Sequence, residues 1–411
     1  TADGDLAEEA VHDEKKLRIP KLTLSIAPQG DSGAVAEAAK MLAAAENPVI
    51  FADRACRSQE GMKRLVELAE ALNAPVADIG GRMNFPTSHH LCRSDDRRQL
   101  IGQADVVLML EVADPWGQFN TISDPHHEYR RLAKPDVKVI HVCLGDTLTK
   151  SNYQDMQRFM PVDLPIAGDA QATLPSLIEE VKKATSIMRR ATIGDRATKL
   201  REEYRRMKDR SRTAASYGWD AHPCSTARMS AHLYNVIKNE KWCVAASGVQ
   251  WSRSLWPATE YYNFIGGSGG SGVGYSAPAA VGAALANRDK GIITVSIEGD
   301  GDLMYAPGVL WTAAHHKIPI LMTMHNNRAY HQEVMHLQKM AALHDRRMDT
   351  AATGTTIENP NIDSAKLAQS LGVWSEGPIT DPAAIGPALS RALAVVKRGE
   401  PALVDVVSQG R

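Results

Sequence analysis

The sequence predicts an α/β protein built from two doubly wound domains, each with a parallel sheet covered by helices on both faces. Short apolar runs that suit buried strands alternate with helical patterns along most of the 411 residues. A hydrophobic content of 44% is enough for large cores, and the length suggests two or three domains. A basic helical stretch between the two strand-rich halves indicates where the first domain ends.

The first domain is predicted over residues 31–185. It follows a polar, charged stretch, residues 1–30, which we interpret as a linker or leader entered from something upstream. Its helices are predicted at 34–46 and 60–72, and its strands at 48–52, 74–79, 106–112 and 137–142. Repeated strand–helix units imply a parallel sheet and a Rossmann-like domain. No glycine fingerprint follows the first of these strands, so the sequence identifies no nucleotide site there.

A connecting helical segment is predicted at 186–220, where Arg and Lys residues are clustered. A solvated helix is the favoured interpretation, and a surface for an anion or a partner is the alternative. The formal net charge of -1 offers no electrostatic argument for binding nucleic acid or an anionic membrane. No apolar run is as long as a membrane span. The five scattered cysteines fit reduced thiols, so we expect a cytoplasmic protein.

The second domain, predicted over residues 221–411, contains the most informative part of the chain. Apolar runs at 292–297 and 318–324 flank a helical segment at 307–316, a pattern that predicts a right-handed β-α-β unit. Further strands are predicted at 242–246, 261–265 and 402–407, and a further helix at 364–371. The carboxyl ends of the two central strands are expected at one edge of the sheet, where open α/β sheets bind ligands.

Small and oxygen-bearing polar residues follow each of these two strands. They are Gly299, Asp300, Gly301 and Asp302 after the first strand, and Asn326 and Asn327 after the second. A carboxylate oxygen and a carboxamide oxygen are hard ligands that suit a cation such as Mg2+. The glycines let a diphosphate approach the backbone closely. The unit therefore predicts a site for a metal and a diphosphate.

The Gly299-Asp300-Gly301 motif, followed after 24 residues by Asn326-Asn327, resembles the signature of thiamine diphosphate (ThDP) enzymes. The members that this sequence looks most like are the acetolactate synthase-like and benzoylformate decarboxylase-like enzymes. The resemblance covers the central and diphosphate-binding domains of that family. It implies that Asp300, Asn327 and the backbone carbonyl of Ala329 hold the metal ion.

The glycine-rich stretch at 266–278 resembles the family segment that lies under the cofactor. By that match, Val273 is the apolar residue between the two cofactor rings, and the Ser271 carbonyl accepts a hydrogen bond from the aminopyrimidine. Asp302 departs from the small residue that many relatives have, and its role stays open. The remaining residues that the resemblance assigns are Gly248, Gln250, Gly272, Gly299, Gly301 and Tyr330 near the cofactor, and His331 and Gln332 as candidate substrate contacts.

In this family, a glutamate on a separate pyrimidine-binding domain protonates the aminopyrimidine ring and promotes ylide formation. Nothing in this sequence resembles that domain, so no catalytic residue for ylide formation is assigned to this chain. We expect the domain to come from another chain or a severed segment, and the active units to form an oligomer (a dimer or a tetramer). The central domain binds FAD or ADP in some relatives, and a purely structural role is favoured here.

The resemblance implies a ThDP- and Mg2+-dependent lyase or transferase that cleaves or forms a C–C bond of a 2-oxo acid, as a decarboxylase or carboligase. A 2-hydroxyacyl-CoA lyase-type ThDP enzyme is one alternative. A flavin or nicotinamide oxidoreductase is another, because Gly267, Gly269 and Gly272 have the spacing of a dinucleotide fingerprint. A regulatory subunit without catalysis is the third, and the intact pair of Asp300 and Asn327 argues against it.

Overall fold

The computed structural model describes residues 21–123, 128–145, 159–246, 253, 255–267 and 272–410. Within these ranges the chain forms two five-stranded parallel sheets and one two-stranded antiparallel hairpin. The predicted fold class, α/β with two parallel-sheet domains, is therefore confirmed. None of the described helices combines the length and the apolar character that crossing a membrane requires.

The first half of the chain forms a sheet with the strand order β2-β1-β3-β6-β7. In chain order, its elements are α1 (Ser32–Ala44), β1 (Pro48–Ala52), α2 (Gln59–Leu72), β2 (Val76–Asp78), α3 (Arg97–Gln103), β3 (Val106–Leu110), α4 (Pro115–Phe119), β4 (Asn120–Ser123), β5 (Glu128–Arg131), β6 (Lys138–Cys143), β7 (Leu164–Ala167) and α5 (Ala170–Ala184). Every residue of β1 and β3 is buried, as expected for strands covered on both faces. The sequence did not predict β7, which contains a proline, or the polar hairpin of β4 and β5.

The connecting segment is a single helix of 30 residues, α6 (Ile187–Ser216). Arg93, which is 1% exposed, donates hydrogen bonds to Asp96 and to Glu203 on α6. This buried charge network holds the helix against the first half of the chain. The two halves also meet directly, since the backbone N–H of Met83 donates to the carbonyl of Phe264 at 2.9 Å.

The second half forms a sheet with the strand order β11-β12-β10-β9-β8. In chain order, its elements are α7 (Thr226–Ile237), β8 (Trp242–Val244), α8 (Ser276–Asn287), β9 (Ile293–Gly299), α9 (Asp300–Leu303), α10 (Val309–His315), β10 (Ile320–Asn326), α11 (His331–Leu343), α12 (Ser364–Ser370), β11 (Trp374–Ile379), α13 (Pro382–Val396) and β12 (Ala402–Val407). Strands β9 and β10 pair in parallel, with His325 opposite Gly299. Asp300 and Asn327 therefore leave the sheet at the same edge.

The strand predicted at 261–265 is wrong. Residues Tyr261–Asn263 form a turn of 3-10 helix, and only Phe264 makes an isolated bridge to Val244. The side-chain oxygen of Asn263 accepts the backbone N–H groups of Thr259 and Glu260 at 3.0 and 2.8 Å, which turns the chain instead of extending it. Helix α11 was not predicted, and none of its residues is buried.

Candidate metal and cofactor site

Asp300 connects the two strand ends that the sequence singled out. It is 3% exposed, and its carboxylate accepts the backbone N–H of Gly301 at 2.9 Å and that of Arg328 at 2.6 Å. Burial raises the pKa of Asp300 to about 6, against the opposing effect of these backbone donors. The bond to Arg328 places the carboxylate one residue from both Asn327 and Ala329.

The Asn327 side chain is held in one orientation by two neighbours. Its oxygen, Oδ1, accepts the backbone N–H of Ala329 at 3.1 Å, and its nitrogen, Nδ2, lies 3.2 Å from Nε2 of His325. The loop that follows is held by two contacts with a later segment. The N–H of Tyr330 donates to the carbonyl of Thr355 at 2.8 Å, and Ala329 forms an isolated β-bridge with Thr356. The predicted ligands Asp300, Asn327 and Ala329 thus lie in one braced loop cluster.

These three residues offer a carboxylate, a carboxamide and a carbonyl oxygen, a set that fits a hard cation with open positions for phosphate and water. Within the described ranges, no group of three or more His, Cys, Asp or Glu residues is arranged to hold a metal. Because its donors are oxygens, the set at the ends of β9 and β10 is the candidate metal centre. The assignment of the individual ligands stays a prediction.

Asp302 contacts the glycine loop, which settles where its carboxylate points. One oxygen, Oδ1, accepts the backbone N–H of Gly274 at 2.6 Å, and the other, Oδ2, is buried near the carboxyl group of Glu298. Gly274 has φ +90, and a Cβ there would lie 2.6 Å from the Cβ of Tyr305, so only glycine fits. Its neighbour Val273 remains 54% exposed.

Gly301 is a second position where only glycine fits. A Cβ there would lie 2.4 Å from the ring of Tyr330. The hydroxyl of Tyr330 in turn donates to the carbonyl of Gly301 at 3.4 Å, a long contact. The predicted cofactor residues Gly301 and Tyr330 are therefore in direct contact beside the candidate metal ligands.

Two buried carboxyl residues beneath the site, Glu298 and Asp405, were not predicted from the sequence. Glu298 is fully buried on β9, accepts a hydrogen bond from Ser296, and has its pKa raised to about 8 by burial, reinforced by the nearby charge of Asp302. Asp405 accepts from Asn326 at 3.0 Å and from the N–H of Ser364 at 3.1 Å, and burial raises its pKa to about 6. Polar residues within otherwise apolar strands were the available signal.

The remaining predicted residues divide into two groups. Gly248, Gln250 and Ser271 lie outside the described residues, as does Gly269 of the dinucleotide-like pattern. Gly272 is exposed at the start of the described part of the loop. The His331 ring is partly buried against Gly410, where a Cβ would lie 2.6 Å from it, whereas Gln332 is exposed.

The crevice at the carboxyl edge of the first sheet is occupied by the chain's own carboxylates. Asp53 accepts the N–H of Gly81 at 2.8 Å and that of Ala113 at 3.2 Å. Glu111 accepts the N–H of Ala170, at the start of α5, at 3.1 Å. Backbone N–H groups of this kind are the donors that a nucleotide phosphate would use.

Comparison with known families identifies both halves of the chain. Residues 35–177 match the family described as thiamine pyrophosphate enzyme, central domain. Residues 246–406 match the family described as thiamine pyrophosphate enzyme, C-terminal TPP binding domain. The second match includes the candidate metal loop and the glycine loop.

Similar proteins include acetolactate synthase large subunits. A probable subunit from Methanocaldococcus jannaschii is 25% identical over 390 residues, which is 91% of this chain and 59% of the relative. The isozyme 3 large subunit from Escherichia coli is 22% identical over 312 residues, 73% of this chain and 50% of the relative. The chain thus spans less than two thirds of the length of these relatives.

The solved structure of a thiamine diphosphate-dependent 4-hydroxybenzoylformate decarboxylase from Rhodococcus jostii superposes with a TM-score of 0.67. It is 19% identical in sequence, and the match covers 95% of this chain and 66% of that protein. At this identity the likeness speaks for the fold alone.

Proposed function

The chain belongs to the family of thiamine diphosphate-dependent enzymes, and on that basis we propose that its residues form the metal- and diphosphate-holding part of an active site for 2-oxo acids. When bound, ThDP supplies the nucleophilic carbon and the electron sink that C–C bond chemistry next to a carbonyl requires. The observation that carries the proposal is the hydrogen bond from Arg328 to Asp300, which joins the ends of β9 and β10 into one oxygen-lined edge.

We assign Mg2+ to the Asp300 carboxylate, the side-chain oxygen of Asn327 and the carbonyl oxygen of Ala329. A small hard cation prefers oxygen donors, and a single carboxylate leaves its remaining positions to phosphate oxygens and water. Burial raises the pKa of Asp300 to about 6, and a neighbouring divalent cation would stabilise the charged carboxylate that burial disfavours.

We assign the support of the cofactor rings to Val273. The hydrogen bond between Asp302 and Gly274 fixes the backbone beside it, and the 54% exposure of Val273 leaves its side chain free to contact an apolar ring. We assign Asp302 no contact with the diphosphate, because one of its carboxylate oxygens accepts from the backbone of the glycine loop. Gly299, Gly301, Gly272 and Tyr330 would line the same edge, and His331 and Gln332 would lie nearer the substrate.

Exposed apolar side chains around the site support a second polypeptide segment that covers it. Val273 is 54% exposed, Tyr305 64% and Met304 38%, and apolar groups grouped on a surface commonly mark an interface. We propose that the pyrimidine-binding domain, with the glutamate that protonates the aminopyrimidine, packs on this face. It would do so within an oligomer.

The reaction class that we propose is decarboxylation or carboligation of a 2-oxo acid, in a lyase or a transferase. The similarity to proteins named acetolactate synthase large subunits supports this substrate class. A 2-hydroxyacyl-CoA lyase-type reaction is the alternative within the family. The oxidoreductase alternative is less well supported, because the match to the ThDP-binding family spans the Gly267–Gly272 loop.

For the first sheet we propose a structural role without FAD or ADP, because Asp53 and Glu111 take up the backbone donors at its crevice. Their negative charges would also repel a diphosphate. A purified protein that is yellow, or that binds ADP in a calorimetric titration, would contradict this part of the proposal.

All five cysteines are free thiols, which supports a reducing, cytoplasmic environment.

The decisive experiment is calorimetric titration of the protein with ThDP, with Mg2+ present or removed by EDTA. We expect binding that requires Mg2+ and is lost in Asp300→Ala. Asp289→Ala is the matched control, because its side chain is 91% exposed on the surface, and it should bind as the wild type does. Asp300→Ala that binds ThDP unchanged would contradict the proposal, and so would wild-type protein that does not bind ThDP with Mg2+ even when the pyrimidine-binding domain is present.

A further inference from the structure

We propose that His325 and Ser408 form a buried pair that orients the Asn327 carboxamide, so that its oxygen faces the metal position. This inference rests on the function proposed above. It concerns two residues that no motif of the sequence singled out, one on β10 and one just beyond β12. Both are 3% exposed, so neither is available to solvent.

The hydrogen bonds around Asn327 leave one consistent arrangement. The backbone N–H of Ala329 can only donate, so the atom it contacts at 3.1 Å must be the carboxamide oxygen of Asn327. The amino group of the carboxamide then faces Nε2 of His325 at 3.2 Å, and that nitrogen must accept. The imidazole proton is therefore on Nδ1, from which it is donated to Oγ of Ser408 at 2.6 Å.

Ser408 is itself fixed in position. Its backbone N–H donates to the carbonyl of Asn326 at 3.0 Å, and the next residue, Gln409, donates to the carbonyl of Cys224 at 2.9 Å. The chain after β12 is thus fastened beside the end of β10. A hydroxyl held in this way can accept the Nδ1–H of His325 and keep the imidazole in place, and the imidazole can in turn hold the rotation of Asn327.

The alternative rotation of Asn327 is disfavoured twice in this arrangement. Turning the carboxamide over would bring its amino group against the N–H of Ala329, and its oxygen against the unprotonated Nε2 of His325. It would also present a donor to a cation that needs an acceptor. Without an acceptor at position 325, one of the two constraints is lost and the amino group of Asn327 loses its hydrogen-bond partner.

Residues that orient metal ligands through hydrogen bonds commonly contribute about 10–100-fold to metal affinity. We therefore expect His325→Leu to raise the half-saturating Mg2+ concentration for ThDP binding about 10–100-fold. Ser408→Ala should raise it by a smaller factor, since the imidazole remains. His325→Gln, whose side-chain oxygen can accept from Asn327, should recover most of the affinity. His336→Leu, at an exposed position on α11, is the control and should titrate as the wild type.

The experiment combines this Mg2+ titration with 15N NMR of the histidine rings in the full chain without cofactor. The expected spectrum has His325 as the Nδ1–H tautomer, assigned by its loss in His325→Gln, and the tautomer signal should shift in Ser408→Ala. A His325 ring protonated on Nε2 would overturn the inference whatever the cofactor does. If the wild type binds Mg2+ and ThDP, and Ser408→Ala and His325→Leu give the same Mg2+ titration as the wild type, this inference is overturned and the proposed function stands. Wild-type protein that binds neither would overturn the proposed function as well.

Discussion

The carboxylate of Asp300 accepts the backbone N–H of Arg328 at 2.6 Å, across a separation of 28 residues. Arg328 adopts φ +56, a left-handed backbone conformation that non-glycine residues rarely take. The conformation points its N–H back towards β9 and turns the chain so that Asn327 and Ala329 lie on either side of the contact. The position of the candidate metal ligands therefore depends on a backbone group and not on the arginine side chain.

The first prediction separates the backbone of residue 328 from its side chain. Arg328→Gly keeps the N–H and adopts φ +56 without strain, so it should keep Mg2+-dependent ThDP binding and gain up to about 1 kcal/mol of stability. Arg328→Pro removes the N–H and cannot adopt the conformation, so binding should be lost. Calorimetry and thermal unfolding measure the two effects. Equal binding by the glycine and proline variants would show that the contact has no role.

The second prediction concerns the packing of Gly301 against Tyr330. Because a Cβ at 301 would lie 2.4 Å from the tyrosine ring, Gly301→Ala should displace the ring and weaken ThDP binding. Removing the ring in the double variant Gly301→Ala/Tyr330→Ala should relieve the collision. Its binding should therefore exceed that expected from adding the two single effects, as a double-mutant cycle measures. Additive effects would contradict the packing explanation.

The third prediction tests the contact between Asp302 and Gly274. Asp302→Ala leaves the Gly274 N–H without its acceptor, so the glycine loop should loosen and ThDP affinity should fall by about 1–3 kcal/mol, or roughly 5- to 150-fold. Asp302→Asn keeps an oxygen that can accept and should lose much less. Hydrogen exchange of the Gly274 amide gives an independent measure. An amide equally protected in Asp302→Ala and wild type would rule out the role assigned to this carboxylate.

Much of the candidate site was predictable because the residues proposed to contact the metal and the cofactor stand next to one another in the sequence. The polar groups after β9 and β10 stand in short motifs, and a β-α-β unit brings such strand ends to one edge. The residues that support these contacts from elsewhere in the fold were not predictable in this way. Ser408 meets His325 across 83 residues, through the pairing of β10 with β12, which a single sequence does not specify.

Local chemistry accounts for the other differences. The apolar residues at 261–265 suggested a strand, but the Asn263 side chain binds the preceding backbone and forms a turn. Helix α11 has apolar residues at helical spacing (Val334, Leu337 and Ala341), but it buries no face and was not predicted. The Asp53 and Glu111 contacts depend on backbone N–H groups, whose positions follow from the fold and not from residue type.

The last prediction uses a buried histidine far from the metal site. His141, on β6, is 2% exposed, and burial lowers its pKa to about 4, partly offset by a backbone contact with Val112. In the unfolded chain its pKa is near 6.5, so between these values the unfolded state binds more protons. This neutral histidine therefore costs no stability above about pH 6.5, and stability should fall as the pH drops from there towards 4.

The size of this effect can be isolated with a variant that does not titrate. Each pKa unit corresponds to about 1.4 kcal/mol, so the complete loss for His141 is roughly 3 kcal/mol. In His141→Gln the free energy of unfolding, measured by denaturant titration between pH 7 and pH 4, should decline less steeply than in the wild type. His336→Gln, at an exposed position, should decline as steeply as the wild type. Parallel pH profiles for His141→Gln and wild type would mean that His141 does not remain neutral in the folded protein.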